Sequence, residues 1–230
     1  MELGGLADDL AVASLAMARR FAAGATMWCV APEWPAHGRH VAVEFVHPVI
    51  VGKRALPAVF VDTGNAVADL RVLVRPGDLV LAASTAAHGG VAAAMRRGPA
   101  WGTTTVWVGG GPRPPVAAAD HVLWLEDGSA SLEFTGRLVV LYHLLWELTH
   151  VCFEHPGLLR AGDAACDGDV CVTCADEGRL AEVVATATGS EARVRTATGV
   201  EMADVTLVEP VAPGELLLIH AGSAITRVPG

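Results

Sequence analysis

The chain has 230 residues, 52% of them hydrophobic, and carries a net charge of −9. That much apolar material can build one large core or two unequal ones and excludes extended disorder. The negative balance argues against nucleic acid or an anionic membrane as a partner. No uninterrupted apolar run reaches the roughly eighteen residues of a membrane span, and Met1–Gly5 lacks the basic start of a signal peptide, so a cytoplasmic protein is expected.

Ala7 to Ala23 has the apolar spacing of an amphipathic helix, with Leu10, Met17 and Phe21 on one side and Gly24 as its stop. Thr26–Val30 is a short buried strand. After the loop Pro32-Glu-Trp-Pro35, His37 to Val51 reads as a helix, and Ala58–Asp62 as a second strand. The turn Arg75-Pro-Gly-Asp78 leads into the strand Leu79–Ala83, which ends at Ser84 and Thr85; a helix then runs through Arg97. Thr104–Val108 is a strand stopping at Gly109-Gly-Gly111, His121–Leu125 is another, and a long apolar helix covers Ser131 to Phe153. Strands and helices alternating with short connections predict an α/β fold, a doubly wound and mainly parallel sheet. Its ligands would sit at the carboxyl ends of the strands.

From Asp163 onward eleven residues are acidic and four basic, so most of the net charge lies at the C-terminal end. Gly157–Gly168 reads as a linker. Beyond it come four short strands, Leu180–Thr186, Glu191–Thr196, Val200–Val208 and Glu215–Ala221, at the spacing of a small OB-like β-barrel. The expected division is residues 1–156, a linker at 157–168, and a barrel domain at 169–230.

His40, Glu44 and His47 fall at i, i+4 and i+7, one face of the second helix, and His143, Glu147 and His150 repeat that spacing on the last one. If the helices adjoin, up to six ligands suited to zinc or iron would converge; the alternative is that they cap or salt-bridge two polar faces. Cys171-Val-Thr-Cys174 is open to three readings: half of a zinc site completed by Cys166 and His220, a redox pair, or two inert loop thiols.

The segment Thr206-Leu-Val208 followed by Pro213-Gly-Glu-Leu-Leu-Leu-Ile-His-Ala-Gly-Ser-Ala-Ile225 resembles the HypC/HupF hydrogenase-maturation chaperones over about sixty residues. The resemblance implies that Cys171 is the family's essential cysteine, holding a transient iron that bears cyanide and carbonyl ligands. It also implies a contribution from His220, beside which Cys174 is a further candidate for iron or partner binding, and two partners: a HypD-like scaffold and the hydrogenase large-subunit precursor. Unlike the family cysteine, which follows the initiator methionine, Cys171 is internal, and Cys174 is an added thiol.

The alternating domain is similar to sugar-isomerase (SIS) domains, above all phosphoheptose isomerases, through Arg75-Pro-Gly-Asp-Leu-Val-Leu-Ala-Ala-Ser84-Thr85 and the pair His40 and Glu44. That likeness implies a metal held by His40, Glu44 and His143, phosphate bound by Ser84 and Thr85, and a homo-oligomer formed through this domain. Thr135 stands where the family has a Gln ligand. The family's first phosphate loop is replaced by Val30-Ala-Pro-Glu-Trp34, in which Glu33 would repel a dianion.

Two functions are therefore expected. The leading one is a non-enzymatic hydrogenase-maturation factor with a degenerate SIS domain. The alternative is a metal-dependent phosphosugar isomerase of the sedoheptulose 7-phosphate type, or a sugar-phosphate-binding protein, with an accessory barrel. In the isomerase Glu44 would be the base and His143 the acid.

Overall fold

The computed structural model describes residues 4–126, 132–159, 178–187 and 189–229. Five strands, β1 (Met27–Val30), β2 (Ala58–Val61), β3 (Leu79–Ala83), β4 (Thr104–Gly110) and β5 (His121–Leu125), form one parallel sheet in the order β2-β1-β3-β4-β5. Their apolar residues are nearly continuous because both faces are covered. Along β3, Leu79 and Leu81 enter one core and Val80 and Ala82 the other. The first core is closed by α1 (Ala7–Ala22), α2 (Pro35–Val46) and α5 (Leu132–Glu154), the second by α3 (Ala66–Leu73) and α4 (Gly89–Trp101). This is the doubly wound α/β fold read from the alternation. No described helix is long and apolar enough to cross a membrane.

Both boundaries of α2 differ from expectation, and both trace to proline. Helix α2 begins at Pro35, whose fixed φ suits the first helical position. It ends at Val46, not Val51: His47 has φ −124° and ψ 69°, pushed out of helical geometry by the following Pro48. Pro99, by contrast, lies inside α4, which continues to Trp101 and stops on the left-handed Gly102 at φ 73°. Strand β4 runs on through Gly109 and Gly110, where a side chain at Gly109 would collide with the Ser84 carbonyl and the Trp124 ring.

Asp78 ties the amino ends of the strands together. Its carboxylate accepts hydrogen bonds from the backbone N–H groups of Thr26 and Arg75 and from the Trp28 indole, at 2.9, 3.0 and 2.9 Å. The Gly77-Asp78 half of the motif read as a phosphate loop is thus a structural clamp, a strand's length from Ser84.

The short helix α6 (Pro156–Leu159) occupies the start of the expected linker, whose remainder lies outside the described residues. The C-terminal strands β6 (Arg179–Thr186), β7 (Glu191–Thr196), β8 (Gly199–Asp204), β9 (Leu216–His220) and β10 (Ser223–Val228) form a closed barrel in the order β10-β8-β7-β6-β9. It has one more strand than the four read from the sequence. Strand β10 returns from β9 through the tight turn at Ala221-Gly222 and pairs with β9 on one side and β8 on the other, completing an OB-like closure.

The barrel rests on α3 and α4 through one buried carboxylate. Glu182, 1% exposed, accepts hydrogen bonds from Arg71, Arg97 and the Trp101 indole. Two flanking bonds cross the same joint in opposite directions, from Arg195 of the barrel to the Arg71 carbonyl at 2.8 Å and from Arg97 of α4 to the Gly214 carbonyl at 3.0 Å. Removing the carboxylate would leave two cations against an apolar joint. Glu182→Ala is expected to cost about 3 kcal/mol and to split a single urea transition into separate barrel and α/β transitions; Glu182→Gln should cost less.

Candidate metal centre

Helices α2 and α5 pack side by side over the sheet, and Gly38 sets how closely α2 approaches that sheet. Gly38 lies against Phe60 at 2.5 Å and the Ala31 methyl at 2.7 Å, measured from where a β-carbon would stand, so any side chain there would lift α2 off the sheet. Phe45 is fully buried in the same core as Leu138, Leu141 and Leu145.

This packing brings together His40 and Glu44 from α2 and His143 from α5. Glu44 Oε1 lies 3.2 Å from His40 Nε2 and 3.5 Å from His143 Nε2, and the three ligand atoms lie within 4.8 Å of one another. Tetrahedral ligands about 2.1 Å from a zinc ion stand roughly 3.4 Å apart. The two shorter separations therefore already have the spacing of a coordination shell.

Both imidazoles are oriented through their other nitrogen. His143 Nδ1 donates to the Val139 carbonyl at 2.7 Å, which leaves Nε2 with its lone pair. His40 Nδ1 is 2.8 Å from the Tyr142 hydroxyl, and that hydroxyl is 3.4 Å from His37 Nδ1. A self-consistent assignment has His40 Nδ1–H donating to Tyr142 and the Tyr142 hydroxyl donating to His37, so that His40 Nε2 is also free to ligate. Desolvation, and secondarily the Glu44 charge, push the Tyr142 hydroxyl up to about 12, which keeps it protonated at neutral pH. Burial and the neighbouring His40 lower the His37 pKa, which keeps that ring neutral. An imidazole held by a second hydrogen bond is a usual partner of a bound metal. The donor set thus fits a zinc or iron ion with three protein ligands and an open position.

The other residues read as ligands are placed elsewhere. His47 has left the helix and is exposed. Glu147 pairs with Lys53 at 3.2 Å. His150 is 1% exposed with Nδ1 against the Trp146 carbonyl and Nε2 against the Arg54 carbonyl, so neither nitrogen is available. On α5 the i+7 spacing keeps His150 on the face of His143, but roughly 10 Å along the axis from it.

The residues assigned to phosphate are already engaged. The Ser84 side chain is buried, accepts the Trp107 indole N–H at 3.1 Å and donates to the Thr85 carbonyl at 3.1 Å. Thr85 donates its backbone N–H and hydroxyl to the carboxylate of Glu33, at 2.7 and 3.0 Å. The first turn of α4 is capped internally as well, His88 Nδ1 accepting the Val91 N–H at 3.2 Å.

Of the thiol site, Cys171 and Cys174 lie outside the described residues, as does Cys166. His220 ends β9 and is half-buried. Cys29 and Cys152 are packed in the α/β domain, and burial raises both thiols, Cys29 to about 12, so neither is a reactive thiolate at neutral pH.

Three residues of this region carry no ligand-like spacing of their own: Tyr142, His37 and Glu33. Tyr142 adjoins His143 and His37 precedes His40 by three positions, but only the α2–α5 contact joins them.

The fold is similar to that of a phosphoheptose isomerase from Francisella tularensis, with a TM-score of 0.52 and 14% identity over 63% of this chain and 86% of that one. A phosphoheptose isomerase from Neisseria gonorrhoeae gives a TM-score of 0.51 and 15% identity over the same shares. These likenesses establish an SIS-type α/β fold. No family model matches the chain, and no curated protein matches it.

The purified protein is expected to bind one equivalent of zinc, measured by competition with a chromogenic chelator. His40→Ala and His143→Ala should each weaken binding at least about tenfold, while His47→Ala and Glu147→Gln leave it unchanged.

Proposed function

We propose that the α/β domain is a metal-dependent ketose–aldose isomerase domain, with zinc or iron held by His40, Glu44 and His143. The observation that carries this reading is the convergence of two anchored imidazoles on one carboxylate oxygen, within an SIS-type fold. A bound divalent ion would polarise a carbonyl or hydroxyl oxygen of the sugar.

The chain's own groups divide the remaining work. His40 Nε2 and His143 Nε2 serve as ligands, and an occupied nitrogen donates no proton, so the acid role first assigned to His143 competes with its ligand role. Glu44 is largely buried, and one of its two oxygens would face the substrate as the base that carries a proton between adjacent carbons. His37, neutral and joined to His40 through Tyr142, is a further group able to exchange a proton. The zinc- or iron-loaded protein should interconvert a ketose and its aldose, followed by NMR on a panel that includes sedoheptulose and sedoheptulose 7-phosphate. Glu44→Gln should reduce kcat by at least about 100-fold with the protein still folded. No turnover of any sugar by fully loaded protein would overturn the reading.

The barrel supports a second reading. A closed OB-like barrel with His220 at the end of β9 is compatible with a HypC/HupF-type maturation chaperone, in which Cys171 and Cys174 would present a transient iron to a HypD-like scaffold and a hydrogenase large-subunit precursor. The barrel docks on α3 and α4, the opposite face of the sheet from α2 and α5, so it is not a lid over the metal centre. Iron-dependent capture of a HypD-type protein, lost in Cys171→Ala, would support this reading; capture unaffected by that substitution would remove it.

A further inference from the structure

The strand order β2-β1-β3-β4-β5 reverses direction between β1 and β3, and such switch points form the ligand crevice of open α/β sheets. The loops leaving β1 and β3 meet there, and what they hold between them is a charge belonging to the chain itself. Both Glu33 carboxylate oxygens lie 3.0 Å from the Thr85 hydroxyl, and one accepts the Thr85 backbone N–H at 2.7 Å. A backbone N–H and a hydroxyl converging on one anion are the donors that would otherwise hold a phosphate oxygen. Glu33 comes from the loop just before α2, and Pro35 to His40 spans only about 7.5 Å of that helix. The loop that carries the carboxylate thus leads directly into the helix that bears His40 and Glu44.

We propose that Glu33 is the built-in occupant of the anion subsite at this switch point, so that the cleft takes an uncharged polyhydroxy carbonyl compound in place of a phosphate ester. The inference rests on the isomerase reading for the nature of the ligand, but the occupied subsite itself does not. An incoming phosphate would have to break two charge-assisted hydrogen bonds and then lie beside the displaced carboxylate, a like charge. A neutral sugar meets neither obstacle, and the outward side of the carboxylate could accept one of its hydroxyls.

The test is calorimetric titration of the full chain with inorganic phosphate. The wild type should show no binding in the millimolar range. Glu33→Ala should bind phosphate at least about tenfold more tightly, with Glu33→Gln in between and the gain abolished in the double variant Glu33→Ala with Thr85→Val. Circular dichroism establishes that each variant is folded. Wild type and Glu33→Ala binding phosphate equally well, or neither binding it, would overturn the proposal. Zinc titration of the same samples keeps the two readings apart: loss of zinc binding in the wild type sinks the isomerase and leaves the subsite result standing. With a metal-loaded, active protein, Glu33→Ala should shift the ratio of kcat/KM for sedoheptulose 7-phosphate over sedoheptulose upward by at least about tenfold. An unchanged ratio would remove the claim about substrate class.

Discussion

The chemistry of this protein depends on how closely α2 lies against α5 and the sheet. Glycine at position 38 permits the approach of α2 to the sheet, and Phe45, Leu138, Leu141 and Leu145 join α2 and α5 in a shared apolar core. Packing of this kind fixes helix positions to fractions of an ångström, because interiors are as dense as organic crystals. Only at that separation can Tyr142 of one helix orient His40 of the other while His143 reaches the same carboxylate. A pair of helices an ångström farther apart would carry the same three residues as ordinary surface groups.

A second joint acts independently of the first. Glu182 comes from the barrel, and the cations and indole that receive it come from α3 and α4. Its burial makes the joint demanding, since a desolvated carboxylate is tolerated only when every partner is in place. The consequence is spatial: the barrel is fixed to one face of the sheet and the His/Glu cluster lies on the other. Whatever the two halves do, they present their surfaces in different directions.

The stretch from Arg75 to Thr85 shows how a motif can be distributed over a fold. Asp78 at its start secures the amino ends of β1 and β3, Ser84 at its end braces Trp107, and only Thr85 faces the crevice. The strand between them holds these functions apart. Likeness to a phosphate loop along the chain therefore has mostly a structural origin here, and Thr85, the donor residue at the crevice, is occupied by Glu33.

The order of elements, the parallel sheet, the phases of the helices and the i, i+4 pair His40 and Glu44 could all be read from the sequence, because each follows from local periodicity. So could most of the barrel, although β10 is hidden behind the turn at Ala221-Gly222 and shows weak alternation, with Ile225 half exposed. Six ligands reduce to three because Pro48 ends α2 early and because positions seven apart, though on one face, lie two turns apart along it. Glu33 meeting Thr85, Tyr142 meeting His40, and Glu182 meeting Arg71 and Arg97 are separated in the chain by 52, 102, 111 and 85 residues respectively. Sequence spacing determines which side of its own element a residue occupies. Which neighbour that side meets is decided by how the elements pack, and that only the tertiary structure supplies.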